Sequence, residues 1–132
     1  MKTIVVGLFI LVGLTSSIRS QVSSYDLYLE DELELNGYYV NFTKVIDSRC
    51  PKDVICNRSG EAVVFLEVYN DDALIETKTI YVYPNASQSI QDQTVFEVNG
   101  YRIKIYDLSP YPLALKPTKP SEYILRVGVW EL

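Results

Sequence analysis

The chain has 132 residues, a formal net charge of -5, 2 cysteines, 11 tyrosines and no histidine. A chain of this length forms at most one domain, and a smaller one once a leader is removed. The absence of histidine removes the commonest general base, the serine–histidine nucleophile pair and most zinc or copper sites.

The first twenty residues predict a secretory signal peptide. Lys2 gives a positive start, residues 4–14 are mainly apolar, and small polar residues follow as far as Ser20. The apolar run is shorter than the roughly 20 residues of a membrane span, although an uncleaved N-terminal anchor is the alternative. Cleavage after Ser20, or after Ser17, predicts a secreted or periplasmic protein with no membrane insertion once the signal peptide is removed.

Cleavage after Ser20 leaves a single domain, residues 21–132, that is more acidic than the full chain. Loss of Lys2 and Arg19 lowers the basic residues from 12 to 10 against 17 acidic ones, so the net charge becomes -7. This balance argues against nucleic acid and anionic membranes as partners, because it offers no evident basic patch.

Short runs of Tyr, Val, Ile, Leu and Phe between turn residues predict strands rather than helices. The first run, residues 25–29, is followed by an acidic stretch that leads to Leu33 and Leu35. Asn36-Gly37 is a tight-turn signal before a strand over residues 38–46. In that strand we expect two faces: Val40, Phe42 and Ile46 on one, and Tyr39, Asn41 and Val45 on the other.

The most apolar stretch, residues 61–69, predicts a central strand after a loop over residues 47–60 that holds both cysteines. A hairpin loop over residues 70–73 leads to a return strand over residues 74–83. The inward positions are expected to be Ala62, Val64, Leu66 and Val68 on the central strand, and Ile80 and Val82 on the return strand.

The remaining strands are separated by a polar loop, a hairpin turn and a proline-rich segment. Residues 84–93 are polar, and residues 94–98 and 101–107 flank the turn signal Asn99-Gly100. Residues 109–120 contain four prolines and predict a connection that crosses between two sheets. Residues 122–132 form the last strand. The chain therefore predicts an all-β, antiparallel, immunoglobulin-like β-sandwich of about seven strands, with a small β-barrel as the alternative.

The two cysteines, Cys50 and Cys56, predict a disulfide because an even cysteine count follows a signal peptide. The alternatives are a redox pair or a metal site. The spacing is not that of thiol oxidoreductases, and no histidine or further cysteine completes a metal shell. We expect no metal and no cofactor.

The cysteine segment resembles a signature of small exported bacterial proteins of uncharacterised function, D-S-R-C-P-x-x-V-x-C-x-x-x-G-x-A. The matching residues are Asp47, Ser48, Arg49, Cys50, Pro51, Val54, Cys56, Gly60 and Ala62. Members of that group often carry Trp two residues after the second cysteine, where this chain has Arg58. The resemblance implies an exported β-domain and no particular activity.

The cysteine loop is also a candidate binding loop, because charged residues surround a stapled ring. Its candidate residues are Asp47, Arg49, Lys52 and Asp53, and Arg49 is expected to pair with Asp47 or Asp53. The alternative is a loop that caps the end of the sandwich and satisfies its own polar groups.

Surplus aromatic residues form a candidate binding face, since tyrosine and tryptophan are enriched at recognition surfaces. They fall on strand faces opposite the main apolar set: Tyr39, Tyr69, Tyr81, Tyr83, Tyr106 and Trp130. The alternative is that they are ordinary sheet residues that cover their cross-strand neighbours.

Two further patterns suggest modification or calcium binding. Asn41, Asn57 and Asn85 begin N-glycosylation motifs, of which Asn85 in a loop is the best candidate. Acidic residues at positions 30–34 and 71–72 are candidates for calcium, or a solvated edge that discourages strand pairing.

These observations predict an exported, non-enzymatic binding or structural module whose partner is an unknown protein or glycan. The alternatives are an inhibitor of a secreted enzyme that presents the Cys50–Cys56 loop, and a calcium- or glycan-dependent adhesion module.

Overall fold

The computed structural model describes residues 13, 14, 16, 21–84 and 95–132. These residues form eight strands and one short 3-10 turn, Pro120–Glu122, before the last strand. The strands are β1 (Ser23–Tyr28), β2 (Glu32–Leu35), β3 (Tyr38–Asp47), β4 (Ala62–Asn70), β5 (Ala73–Val82), β6 (Val95–Val98), β7 (Tyr101–Ser109) and β8 (Ile124–Glu131).

The strands form two antiparallel four-stranded sheets. The first sheet has the order β1-β8-β7-β6 and the second has the order β2-β3-β4-β5. The predicted all-β sandwich is confirmed, with eight strands where about seven were expected, and it is not a closed barrel. The strand order differs from that of immunoglobulin domains, so the likeness is one of architecture.

Alternation of apolar and polar residues places the core between the two sheets, because successive side chains of a strand point to opposite faces. Phe42 of β3, Leu66 of β4 and Leu125 of β8 are almost completely buried there. The inward face predicted for β4 is confirmed, since all four residues expected there, from Ala62 to Val68, are buried. The other core residues are Leu27, Leu33, Leu35, Val40, Ile80, Phe96, Val98, Ile103, Ile105, Leu108, Tyr123, Val127 and Val129.

A β-bulge changes the faces expected for the second half of β3. The pairing with β4 shifts between Phe42 and Lys44, so one additional residue reverses the alternation that follows. Val45 packs against the core, whereas the side chain of Ile46 is 45% exposed. The prediction that placed Ile46 inward and Val45 outward was therefore wrong.

The proline-rich connection also differs from the prediction. It joins β7 to β8, which are neighbours in the first sheet, so it does not cross between sheets. Prolines keep residues 110–119 out of the ladder, and the segment folds against the cysteine loop of the second sheet instead.

The sandwich has two chemically different ends. We call the end that carries residues 48–61 and 110–119 the loop end. The opposite end, the turn end, carries three tight turns, at Asn36-Gly37, Asp71-Asp72 and Asn99-Gly100. The Asn99 side chain links the sheets there, donating to the carbonyls of Leu35 and Asn36 at 3.2 Å each.

The Asn85 motif lies outside the described residues, and so does the predicted signal peptide except for residues 13, 14 and 16. No helix in the described part of the chain is long and apolar enough to cross a membrane.

Candidate functional site

The predicted disulfide between Cys50 and Cys56 is present. It closes a small ring in the connection between β3 and β4. A bonded pair of this kind is compatible with an oxidising compartment outside the cytoplasm.

Arg49 is a buried ion-pair partner that joins the cysteine loop to the first sheet. Its Nε and Nη2 atoms donate to the Oδ1 and Oδ2 atoms of Asp47 at 2.8 and 2.9 Å. Nη1 donates to the carbonyl of Leu108 at 2.8 Å, and Nη2 also donates to the carbonyl of Pro110 at 3.1 Å. The Arg49 side chain is only 2% exposed, so it holds two loops together and is not a contact residue.

Two tyrosines complete this arrangement. The Arg49 guanidinium lies 4.8 Å from the centre of the Tyr111 ring, and the Tyr123 hydroxyl donates to Asp47 at 3.1 Å. Burial opposes ionisation of Asp47, but the hydrogen bonds and charge of Arg49 outweigh it and hold the pKa of Asp47 below its ordinary value. Burial and the Asp47 carboxylate raise the pKa of Tyr123. Asp47 is therefore a structural anion.

Asp53 fixes the cysteine loop to the proline-rich connection from the other side. Its two carboxylate oxygens accept the backbone N–H groups of Ala114 and Leu115 at 2.7 and 3.1 Å, and these bonds lower the pKa of Asp53. The backbone N–H of Lys52 donates to the carbonyl of Pro112 at 3.1 Å. Of the four predicted loop residues, Asp47, Arg49 and Asp53 hold the loops in place. Lys52 is exposed, has no ion-pair partner among residues 21–84 and 95–132, and places its Nζ 5.4 Å from the centre of the Tyr111 ring.

The loop end also carries exposed aliphatic side chains, which the sequence did not single out as a site. We define the loop tip as Val54, Ile55, Leu113 and Leu115. Ile55 and Leu115 are 103% and 92% exposed, and Val54 and Leu113 are 43% and 39% exposed. Aliphatic residues outside any predicted strand were the available signal, but only the fold shows that the two loops meet.

Four exposed basic residues accompany the loop tip. Lys52 and Arg58 belong to the cysteine segment, and Lys116 and Lys119 belong to the proline-rich connection. No ion-pair partner of these four occurs among residues 21–84 and 95–132. We call them the basic cluster.

The six predicted aromatic residues do not form one surface. Tyr39 and Tyr69 face each other across β3 and β4, and Tyr81 lies opposite Val63 on the same outer face near the loop end. Tyr83 follows the end of β5. The Tyr69 hydroxyl donates to Glu67 at 2.7 Å, and this hydrogen bond raises the pKa of Tyr69.

The other two aromatic residues lie on the outer face of the first sheet. The Tyr106 ring covers Gly128 so closely that a Cβ there would overlap it, and Trp130 lies 6.0 Å from the Arg102 guanidinium. Tyr106 therefore covers a glycine in a strand, which stabilises the sheet, while half of the residue stays exposed.

The surroundings of the acidic residues do not favour calcium binding, and only one of the two glycosylation motifs in the described residues has an exposed asparagine. Glu32, Asp71 and Asp72 line a shallow depression at the turn end, yet no group of three potential metal ligands exists among the described residues. The Asn41 carboxamide oxygen is buried without a partner in the described structure, whereas Asn57 is exposed.

The chain matches no known protein family, no curated protein and no solved structure. The resemblance of the cysteine segment to small exported bacterial proteins therefore stays a prediction.

Proposed function

We propose that the protein is an exported, non-enzymatic binding module that contacts its partner through the loop tip. The observation that carries this proposal is the complete exposure of Ile55 on a loop that a disulfide closes and hydrogen bonds hold in place. An isoleucine side chain gains about 1.5–3 kcal/mol when it leaves water, and here that gain is available to a partner.

Rigidity of the loop tip supports a binding role, because ordering flexible loops reduces affinity. The disulfide closes the cysteine loop, and Arg49 donates a hydrogen bond from this loop to the first sheet. Asp53 accepts a hydrogen bond from the proline-rich connection. The absence of histidine from the sequence supports a role without catalysis.

An inhibitor of a secreted enzyme is the alternative form of the same proposal. A disulfide-closed loop with a fully exposed aliphatic side chain could place that side chain in an enzyme groove. In that case the partner of Ile55 would be the substrate pocket of one secreted enzyme.

A second candidate surface is the outer face of the second sheet near the loop end. Ile46, Val63 and Tyr81 form a cross-strand row there, with Ile46 45% and Tyr81 40% exposed. Neighbouring apolar residues on a sheet face also stabilise the sheet itself. Ile55 is much more exposed than Ile46 or Tyr81, so we favour the loop tip as the contact surface.

Site-specific photo-crosslinking in the producing cells tests the proposal. A photoreactive amino acid at position 55 should give an adduct with protein, glycan or lipid, because that side chain is the proposed contact. The same group at position 75 is the matched control, since Ile75 is 53% exposed at the opposite end of β5. Equal labelling at both positions, or adducts only at position 81 on the sheet face, would contradict the loop-tip proposal.

A further inference from the structure

Among the described residues, exposed acidic side chains prevail at one end of the sandwich and exposed basic side chains at the other. Asp71, Asp72 and Glu131 lie at the turn end, together with Glu32 and Glu34 of β2, and all five are exposed. The basic cluster lies at the loop end. Ten residues of β3 separate the two ends by about 30 Å, at roughly 3.3 Å per residue.

Because the two ends are far apart, a partner at the loop end responds to the charges there and not to the net charge of the chain. Exposed charges act over a Debye length of about 8 Å at physiological ionic strength, so a surface that meets the loop end is screened from the acidic turn end. The expectation that an acidic chain avoids anionic surfaces assumed no local basic patch. Within residues 48–61 and 110–119, Asp53 is the one exposed acidic residue and Glu61, at the base of the cysteine loop, is half-buried. Both Asp53 oxygens accept backbone N–H groups.

The apolar loop tip and the basic cluster belong to one surface. Asp53 bonds the backbone at Leu115, and Ile55 follows Asp53 by two residues, a chain reach of at most about 7 Å. Lys116 directly follows Leu115. Lys52 and Arg58 line an open depression beside the disulfide, together with Tyr111, Ser59 and Pro84.

We propose that the loop tip docks on a bilayer surface that carries anionic headgroups. The aliphatic side chains enter the boundary between headgroups and acyl chains, and the basic cluster stays at the headgroup level. This inference rests on the proposed binding role of the loop tip and names its partner. It describes peripheral docking and not a membrane span.

The composition of the tip favours a bilayer over an acidic protein. Interfaces between proteins are enriched in aromatic residues and depleted in lysine, whereas three of the four residues in the basic cluster are lysine and all four residues of the loop tip are aliphatic. Lysine stems are long enough to keep their charge at the headgroups while lying against apolar neighbours. A bilayer also accepts protruding side chains such as Ile55 without a complementary pocket.

Vesicle co-sedimentation tests this inference with protein that lacks residues 1–20, since all eight strands lie beyond them. The wild type should bind vesicles of equal parts phosphatidylglycerol and phosphatidylcholine, but not phosphatidylcholine alone. The binding should weaken as NaCl rises from about 0.05 to about 0.5 M, because salt screens the headgroups.

Two variants separate the charged and apolar contributions. Replacing both lysines of the connection, Lys116→Gln with Lys119→Gln, should lower the partition coefficient about 25-fold, at about fivefold for each basic residue. Ile55→Ser with Leu115→Ser should lower it at least tenfold. The matched control, Leu74→Ser with Ile75→Ser, changes two exposed aliphatic residues at the turn end and should leave binding unchanged.

Lack of wild-type binding to the anionic vesicles at low salt would overturn the inference, as would binding that neither loop-end variant weakens. If position 55 crosslinks to a protein while vesicle binding is absent, the proposed binding role stands and the bilayer is the wrong partner. If vesicle binding persists unchanged in the Ile55→Ser, Leu115→Ser variant and position 55 gives no adduct, both proposals fail.

Discussion

Replacing Arg49 by methionine should strongly destabilise the fold, because the substitution leaves Asp47 as an unpaired anion. The two side chains are 2% and 6% exposed. Removing one partner of a buried ion pair raises the free energy of the folded state by about 3–5 kcal/mol. The buried carbonyl of Leu108 also loses the Arg49 donor, which favours the upper part of that range.

The effect should depend on pH in a defined direction. In the wild type the pKa of Asp47 is lowered, so its contribution to stability is present above the unfolded pKa of about 3.9 and is lost as pH falls through the folded value. Without Arg49, burial raises that pKa instead, and the carboxyl becomes neutral on mild acidification. The difference in unfolding free energy should therefore be largest near neutral pH and should shrink toward pH 4 or below.

Urea unfolding followed by fluorescence of Trp130, the only tryptophan, measures this difference. The Asp47→Asn, Arg49→Met double variant keeps the test informative if the single variant does not fold, and it should be more stable than the single variant by at least about 1 kcal/mol. Arg126→Met is the control, because its ion pair with Asp26 is exposed and contributes about 0–1 kcal/mol. If Arg49→Met lowers the free energy of unfolding by less than about 1 kcal/mol, independent of pH, Arg49 does not stabilise the fold as a buried ion-pair partner.

Three further predictions concern the same end of the sandwich. Replacing Cys50 and Cys56 by serine should cost about 2 kcal/mol of unfolding free energy, the chain-entropy value for a ring of this size, with an unchanged circular dichroism spectrum; complete unfolding would show that the disulfide is essential. Gly60→Ala should destabilise more than Gly37→Ala in thermal melts, because both glycines have positive φ but only the Cβ at Gly60 would overlap a backbone carbonyl; equal melting temperatures would contradict this. In NMR titrations, the two amide protons bonded by Asp53 should shift with a midpoint below its ordinary pKa of 3.8, and Asp53→Asn should abolish the shift; a midpoint at or above 3.8 would argue against those bonds.

Local patterns determined much of the fold. Alternation in β4 specified its buried face, and Asn-Gly pairs specified two turns, because both signals depend on residues adjacent in the chain. The disulfide was predicted from the expected signal peptide and from the cysteine count. The reversal of Val45 and Ile46 was not predictable in this way, since a bulge depends on how β3 registers with β4.

The roles of the loop residues depended on contacts between distant parts of the chain. Arg49 bonds Leu108, 59 residues away, and Asp53 bonds Ala114, 61 residues away. The sequence placed Arg49 and Asp53 on a charged loop, for which binding was an open interpretation, whereas the structure uses both to hold two loops together.

The sequence by itself determined a small, disulfide-closed β-domain without histidine, because composition, alternation and turn residues are properties of neighbouring positions. Only the tertiary structure decided which residues are exposed together. It brought Ile55 and Leu115 to one end and separated the basic cluster from the acidic turns by the length of a strand. The net charge of -5 is a sum over the chain, and the fold determines where that charge lies.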